Sequence, residues 1–285
     1  MKQLTIISGK GGTGKTTLTS NFAVLAKNNV IADCDVDAAD LYLVIKPSIT
    51  KSTEFHSGKT AVIDTDLCDK CNLCERICRF GAITDFSIDP LACEGCGFCY
   101  RICPQKAISM KENLVGQWYI SATEYGTLVH AKLKPGEENS GKLVAKVRNE
   151  AVSIANQENA GLIIIDGPPG TGCPVISSIT GVDAVLIVTE PTVSGIHDLK
   201  RIADLSTHFG IKTFICINKW DINPQKTQQI EQFCKETNNP CIGKISFDPI
   251  IIDALVKGKP VVDLFQNQIA SEITTAWDNL IKQIK

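Results

Sequence analysis

Two groups of residues in this sequence have the types and the spacing to carry out chemistry. One is the glycine-rich string GKGGTGKT, which begins at Gly9 and fits the pattern G-x-x-x-x-G-K-[ST]. The other is a set of eight cysteines between Cys68 and Cys103, among 13 cysteines in the 285-residue chain. The first group suits the binding of phosphate, and the second suits the binding of metal.

The glycine-rich string is predicted to bind the phosphates of a nucleotide. Glycines let backbone N–H groups converge on phosphate oxygens without Cβ clashes, and the following helix adds the positive end of its dipole. Lys15 is expected to reach the β- and γ-phosphates, and Thr16 is expected to ligate Mg²⁺. The residues predicted to bind nucleotide here are Gly11, Gly12, Thr13, Gly14, Lys15, Thr16 and Thr17.

The surrounding segments predict an α/β fold, with a mostly parallel sheet and helices on both faces. A strand at residues 3–8, a helix from about Lys15 to Lys27 and a strand at 29–33 follow in order. A final stretch at about 268–283 is predicted to be an amphipathic helix that closes the sheet. Later apolar runs that suit a buried parallel sheet are residues 161–166, 184–189, 213–217 and 241–245.

A second lysine in the string, Lys10, makes GKGGTGKTT resemble the deviant phosphate loop of the MinD, Mrp and nitrogenase iron protein group. The resemblance implies a slow, partner-stimulated P-loop ATPase. In that group the early lysine reaches across a dimer to the partner's nucleotide, so Lys10 implies a homodimer that sandwiches ATP. A solvated loop lysine is the alternative.

The resemblance also implies catalytic and magnesium-binding residues. Asp35 would position the attacking water, with Asp33 and Asp37 as competitors for that role, and Asp166 would hold Mg²⁺ through water. Such carboxylates follow predicted strands, where an open α/β sheet places its ligand chemistry. The implied catalytic residues are Lys10, Lys15 and Asp35. The implied magnesium residues are Thr16, Asp35 and Asp166.

The string Asn218-Lys219-Trp220-Asp221 follows another predicted strand. It matches the N-K-x-D guanine signature of GTPases, but the MinD group commonly places Asn-Lys or Asn-Arg here against adenine. Because the deviant phosphate loop is the longer match, we expect ATP, with Asn218 and Lys219 in contact with the nucleotide.

The eight cysteines form two runs with the same spacing, 25 residues apart. In a reducing compartment such density indicates metal rather than disulfides. Zinc is the rival metal, but zinc sites typically use pairs of C-x-x-C. The runs are Cys68, Cys71, Cys74, Cys78 and Cys93, Cys96, Cys99, Cys103.

Both runs have the spacing of bacterial ferredoxins, in which the fourth cysteine ligates the other cluster. This resemblance implies two [4Fe–4S] clusters with crossed ligation. One cluster would be held by Cys68, Cys71, Cys74 and Cys103, and the other by Cys93, Cys96, Cys99 and Cys78. Arg79 follows Cys78 where the pattern has proline, so we expect the local fold or the potential near that cluster to differ.

The remaining five cysteines are a separate matter. Cys216, Cys234 and Cys241 are predicted to be buried small residues, whereas Cys34 could be buried or functional. Cys173 lies at an offset similar to that of a cluster-ligating cysteine in the nitrogenase iron protein. Mrp-like proteins usually have aspartate there, so a bridging third cluster stays an open alternative.

The alternation of strands and helices stops between residues 55 and 112, which predicts an inserted bacterial-ferredoxin-like (α+β) domain. The host domain would comprise residues 1–54 and 113–285. Residues 117–147 are predicted to be strands joined by the polar turn PGEENSG.

Composition excludes several classes of function. The net charge of −2 and pI of about 6.1 offer no electrostatic attraction for nucleic acid or an anionic membrane. No apolar run approaches the roughly 18 residues of a membrane span, and the N-terminus lacks a signal peptide. We therefore expect a cytoplasmic protein.

The resemblance to MinD-superfamily ATPases with an inserted ferredoxin domain covers essentially the whole chain, and it implies one of three functions. The first is ATP-gated electron transfer to a partner metalloprotein. The second is assembly or carriage of iron–sulfur or other metal clusters. The third is spatial organisation of the MinD kind, with clusters that sense redox state.

Overall fold

In a computed structural model, which describes residues 1–135 and 140–284, the chain divides into two units. The large unit contains Met1–Thr53, Gln117–Leu133 and the chain from Ser140 onwards. The cysteine-rich unit contains Glu54–Gly116 and a short segment that starts at Lys134. Two strands of 16 residues each contribute residues to both units.

The strands and helices are numbered in chain order. The strands are β1 Lys2–Ser8, β2 Asn29–Asp33, β3 Ser48–Ile63, β4 Ile83–Thr84, β5 Ser87–Ile88, β6 Ile108–Thr123, β7 Gly126–Leu133, β8 Leu162–Pro169, β9 Ala184–Thr189, β10 Lys212–Asn218 and β11 Cys241–Ile245. The helices are α1 Lys15–Leu25, α2 Leu41–Ile45, α3 Leu73–Ile77, α4 Phe98–Ile102, α5 Ser140–Gln157, α6 Cys173–Ile179, α7 Val193–His208, α8 Pro224–Glu236, α9 Ile250–Lys257, α10 Val261–Leu264 and α11 Gln268–Ile284.

One sheet has nine strands in the order β11-β10-β9-β1-β8-β2-β7-β6-β3, and β4 pairs with β5 in antiparallel fashion. Every pairing from β11 to β7 is parallel. The mostly parallel α/β sheet predicted from the sequence is therefore confirmed, and its buried strands begin and end close to the predicted positions.

Helices cover the sheet of the large unit on both faces. Leu4 and Ile6 of β1 pack in one core with Phe22 of α1 and with α11. Thr5 lies between them and donates a hydrogen bond from Oγ1 to the carbonyl oxygen of Ser178 in α6 (2.9 Å). Because successive side chains of a strand point to opposite faces, α1 and α11 lie on one face and α6 on the other.

The segment 117–147 follows its prediction only in part. The predicted strands are present as β6 and β7, but α5 replaces the strand predicted after the polar turn. Leu143, Val147 and Ala151 are buried and recur every four residues, which is the spacing of a helix. This apolar pattern continues beyond residue 147, where the predicted segment ended. The polar turn PGEENSG falls largely on residues 136–139, outside the described part of the chain.

The closing helix α11 buries a continuous apolar stripe within the large unit, as its amphipathic sequence predicts. Trp277 of α11 lies against Phe22, with 5.0 Å between the ring centroids. The buried residues recur at helical spacing and are Ile269, Ala270, Ile273, Ala276, Trp277, Leu280 and Ile284.

We expect Leu280→Ala to lower the thermal unfolding midpoint by several degrees. Leu280 is fully buried, and removing such a side chain costs about 2–5 kcal/mol. Asp278→Ala changes the exposed side of the same helix and is the matched control. Scanning calorimetry that finds the same midpoint for Leu280→Ala and the control would contradict this packing.

Candidate functional site

The glycine-rich string forms the loop between β1 and α1. Gly14, the last residue before α1, has a φ of +94°, in the left-handed region that favours glycine. A Cβ atom there would lie 2.4 Å from Nδ2 of Asn218. The same Nδ2 donates a hydrogen bond to the carbonyl oxygen of Thr13 (2.8 Å). Asn218, at the end of β10, therefore holds the backbone of the phosphate loop through this hydrogen bond.

A cavity of about 510 Å³ lies beside this loop. Part of its wall is apolar and includes Val44, Phe247, Ile251 and Leu255. The predicted site residues that line it are Gly11, Gly12, Gly14, Lys15, Thr16, Thr17, Asp35, Asn218 and Lys219. A cleft with phosphate-binding groups and an apolar wall has the character of a nucleotide site.

Lys15 contacts a carboxylate that follows β2, and Thr16 contacts a carboxylate in β8. Nζ of Lys15 lies 3.3 Å from Oδ2 of Asp35. Oγ1 of Thr16 donates a hydrogen bond to Oδ2 of Asp166 at 2.7 Å, and Oγ1 of Thr19 donates to Oδ1 at 3.1 Å. The fold thus brings together residues that the sequence separates widely.

Burial raises the pKa of both carboxyl groups. The pKa of Asp166 rises to about 6, chiefly because burial disfavours the charged form, while Lys15 opposes the rise. The pKa of Asp35 is also raised by burial, again with Lys15 acting in the opposite direction. Buried carboxylates with raised pKa values would be stabilised by a divalent cation, which prefers oxygen ligands.

Asp33 and Asp37, the competitors of Asp35, are placed differently. Asp33 is fully buried, and burial followed by repulsion from Asp166 raises its pKa well above the ordinary value. Asp37 is exposed to solvent. Among the described residues, Asp35 is the one of the three that contacts Lys15.

Glu190, directly after β9, is a site residue that the sequence analysis missed. Its Oε1 lies 2.7 Å from Nζ of Lys10, and its Oε2 lies 3.1 Å from Nζ of Lys219. Burial raises the pKa of Glu190, but hydrogen bonds from the two lysines outweigh this and lower the pKa overall. The available signal was position: Glu190 is a carboxylate at the carboxyl end of a buried strand, like Asp35.

Asp221, the last residue of the NKWD string, makes a contact within the fold. Its Oδ1 accepts a hydrogen bond from the backbone N–H of Phe247 (2.8 Å). Asn218 and Lys219 line the cavity, whereas Asp221 does not belong to its lining. This arrangement favours the adenine interpretation of the string over the guanine signature.

The cysteine-rich unit repeats one backbone pattern in both cysteine runs. Residues in the left-handed conformation flank the second cysteine of each run: Lys70 and Asn72 in the first, Gly95 and Gly97 in the second. A Cβ atom on Gly95 would lie 2.1 Å from the carbonyl oxygen of Lys59, so this position requires glycine. Helices α3 and α4 start at equivalent positions after these turns.

The two repeats exchange their ends. The backbone N–H of Asp64, before the first run, donates to the carbonyl oxygen of Ala107, after the second run (2.7 Å). The equivalent N–H of Asp89, before the second run, donates to the carbonyl oxygen of Ala82, after the first (2.8 Å). The tail of each run is therefore held beside the start of the other.

Two cavities in this unit are lined by four cysteines each. The larger, about 410 Å³, is also lined by Arg79, and its cysteines are Cys78, Cys93, Cys96 and Cys99. The cysteines of the smaller cavity are Cys68, Cys71, Cys74 and Cys103. Each cavity combines three cysteines of one run with the fourth of the other. Buried apolar residues, among them Ile83 and Ile108, pack with five of the eight cysteines: Cys74, Cys78, Cys93, Cys99 and Cys103.

The other five cysteines lie in the large unit. Cys34, Cys216 and Cys234 are buried, and burial raises the pKa of the Cys34 thiol, so it stays protonated. Cys241 is exposed, which corrects its prediction as a buried residue: it begins β11, which is an edge strand of the sheet formed by the described residues. Cys173 is exposed at the start of α6.

The loop, its helix and the carboxylates of the neighbouring strands make the large unit a P-loop ATPase, which binds and hydrolyses ATP. Residues 4–261 match the family described as the CobQ/CobB/MinD/ParA nucleotide binding domain, CbiA. The chain belongs to this family, and the predicted MinD-like ATPase is confirmed.

Known proteins resemble the chain over most of its length. It is 38% identical over 224 residues to the uncharacterized protein MJ0578 of Methanocaldococcus jannaschii, covering 78% of this chain and 79% of that protein. It is 21% identical over 310 residues to the cytosolic Fe-S cluster assembly factor NUBP1 homolog of Caenorhabditis elegans, covering 99% and 80%. The septum site-determining protein MinD with Mg-ADP from Pyrococcus horikoshii shares the fold, with a TM-score of 0.61, 17% identity and coverage of 99% and 96%.

Within residues 1–135 and 140–284, the helices are too short or too polar to cross a membrane.

We expect Asp166→Asn to raise the unfolding midpoint of the nucleotide-free protein in EDTA by a few degrees at pH 7.5. At that pH the buried carboxylate is ionised, although its folded pKa of about 6 lies above the usual value. As pH falls through about 6 the wild-type group takes up a proton, so the gain should shrink by pH 5.

The control is Asp204→Asn, an exposed aspartate, which should leave the midpoint unchanged. Scanning fluorimetry at both pH values measures the difference. A lower midpoint for Asp166→Asn at pH 7.5 and at pH 5 would show that the carboxylate stabilises the empty site.

Proposed function

We propose that this ATPase couples its nucleotide state to electron transfer towards a partner metalloprotein. The observation that supports this most strongly is the arrangement of eight cysteines, four around each of two cavities. Because one chain holds both the nucleotide site and the proposed clusters, ATP hydrolysis would control electron transfer by these clusters.

The cysteines of each cavity fit a [4Fe–4S] cluster by the chemistry of their donor set. Such clusters take four cysteine thiolates, and each set has four cysteines, some of them packed against apolar side chains. When bound, the two clusters would supply one-electron transfer. We propose Cys68, Cys71, Cys74 and Cys103 for one cluster, and Cys93, Cys96, Cys99 and Cys78 for the other.

In the nucleotide site we propose that Lys15 binds the β- and γ-phosphates and that Thr16, Asp35 and Asp166 hold Mg²⁺. Asp35 also orients the attacking water, which its contact with Lys15 supports. Lys10 contacts the nucleotide of a second subunit in a homodimer.

A second candidate function is the carriage or assembly of iron–sulfur clusters. The similarity to a protein named as a cytosolic Fe-S cluster assembly factor favours it. In that case the clusters would be cargo that leaves the protein, whereas electron transfer requires them to stay bound.

Redox titration of the anaerobically purified protein, with and without MgATP, separates these functions. We expect MgATP to shift the cluster potential or to speed electron transfer to an acceptor, with no loss of iron. Lys15→Ala is the matched control and should abolish this dependence, because it removes the phosphate-binding ammonium. Transfer of iron to an apo-acceptor during ATP turnover would instead support the carrier, and the absence of a [4Fe–4S] EPR signal would reject both.

Paired serine variants test the crossed assignment of the cysteines. Cys78→Ser with Cys99→Ser removes two proposed ligands of one cluster, so about half of the iron should remain. Cys78→Ser with Cys74→Ser removes one ligand from each cluster, so most of the iron should be lost. Iron analysis and EPR measure both, and the opposite order of retention would show that each run holds its own cluster.

Cys173→Ser is the control for these variants, since Cys173 is exposed and lies outside both cavities. It should keep the full iron content. Loss of iron in Cys173→Ser would support the bridging third cluster.

A further inference from the structure

The carboxylate of Glu190 forms ion pairs with two lysines at the phosphate loop. Lys10 lies within the loop, and its Nζ is 2.7 Å from Oε1 of Glu190. Nζ of Lys219 is 3.1 Å from Oε2 of Glu190 and also donates a hydrogen bond to the carbonyl oxygen of Gly12 (3.3 Å). Both oxygens of Glu190 are therefore paired with ammonium groups, and one of these, that of Lys219, belongs to a residue that lines the nucleotide cavity.

The position of Glu190 is held by the start of α7. The backbone N–H of Thr192 donates to the carbonyl oxygen of Glu190 (2.7 Å), and Oγ1 of Thr192 caps α7 by accepting from the N–H of Gly195 (2.9 Å). A Cβ atom on Gly195 would lie 2.3 Å from the carbonyl oxygen of Glu190. Glu190 therefore lies in a tight turn that packs closely against the start of α7. This packing fixes the backbone position from which its side chain extends.

The charge of Glu190 matters because the expected ligand is also an anion. The side chain of Glu190 is 12% exposed, against 36% for Lys10 and 30% for Lys219. Bonds between ionised partners in such partly buried places are stronger than those at the open surface. A phosphate that approaches Lys10 would meet an ammonium group already paired with a carboxylate.

We propose that Glu190 is a positioning residue that competes for Lys10 with the phosphates of the nucleotide bound by the second subunit. In the nucleotide-free subunit it holds both ammonium groups against their own chain. Formation of the ATP-bound homodimer exchanges the pair with Lys10 for a phosphate contact, while Lys219 keeps its hydrogen bond to the carbonyl oxygen of Gly12. The inference rests on the proposed contact of Lys10 with the nucleotide of a second subunit.

The test is the affinity of the full chain for MgATP, MgADP and adenosine in wild type and in Glu190→Gln. Removing the competing charge should tighten MgATP and MgADP binding by about fivefold to tenfold. Adenosine has no phosphate, so its affinity should not change. The gain should diminish at high salt, because screening weakens the competing pair.

Three further variants make the result specific. Glu231→Gln removes a surface pair of the same kind, with Lys244 at 2.9 Å, and should change nothing. Glu190→Asp keeps the charge but shortens the reach, so it should give an intermediate gain and carries the test if Glu190→Gln folds poorly. In a Lys10→Ala background, Glu190→Gln should have a smaller effect on MgATP affinity than in wild type.

Unchanged or weaker MgATP binding in Glu190→Gln and Glu190→Asp would overturn the proposal. So would equal tightening of MgATP and adenosine, since that would reflect a general change in the cavity. These measurements read nucleotide binding alone, so their failure is distinguishable from failure of the electron-transfer proposal, which is read from cluster potentials.

Discussion

The parallel pairing of β8 with both β1 and β2 determines where the charged groups of the nucleotide site lie. Parallel strands end at the same edge of the sheet, so the phosphate loop after β1 and Asp35 after β2 meet there. The register pairs Asp166 with Ile6 of β1 and with Asp33 of β2. A slip of one residue in β8 would turn Asp166 to the opposite face, away from Thr16.

Because these charged groups lie close together, the lysines of the site are paired with carboxylates. Lys15 is paired with Asp35, while Lys10 and Lys219 share Glu190. Removing one partner of such a pair would leave a partly buried charge alone, so the resident pairs keep the empty site stable. In the function we propose, a bound nucleotide would displace these pairs. The raised pKa of Asp166 shows where compensation by the chain is incomplete.

In the cysteine-rich unit, backbone hydrogen bonds likewise determine which residues lie close together. Two copies of one sequence pattern fold with their ends exchanged, as the hydrogen bonds of Asp64 and Asp89 show. This exchange carries the fourth cysteine of each run to the three cysteines of the other. The grouping around the cavities thus follows from strand and turn pairing, in addition to the spacing within each run.

The sequence by itself determined the features that depend on neighbouring residues. The phosphate loop, the buried strands and the closing helix were predictable, because glycine spacing and apolar periodicity are local signals. Tertiary structure decided the partners that are distant along the chain: Glu190 for Lys10, and Asp35 rather than Asp33 beside Lys15. It also decided the exposure of Cys241, because an edge position depends on strand order. No local pattern encodes which strand ends lie side by side; only the pairing of the sheet does so.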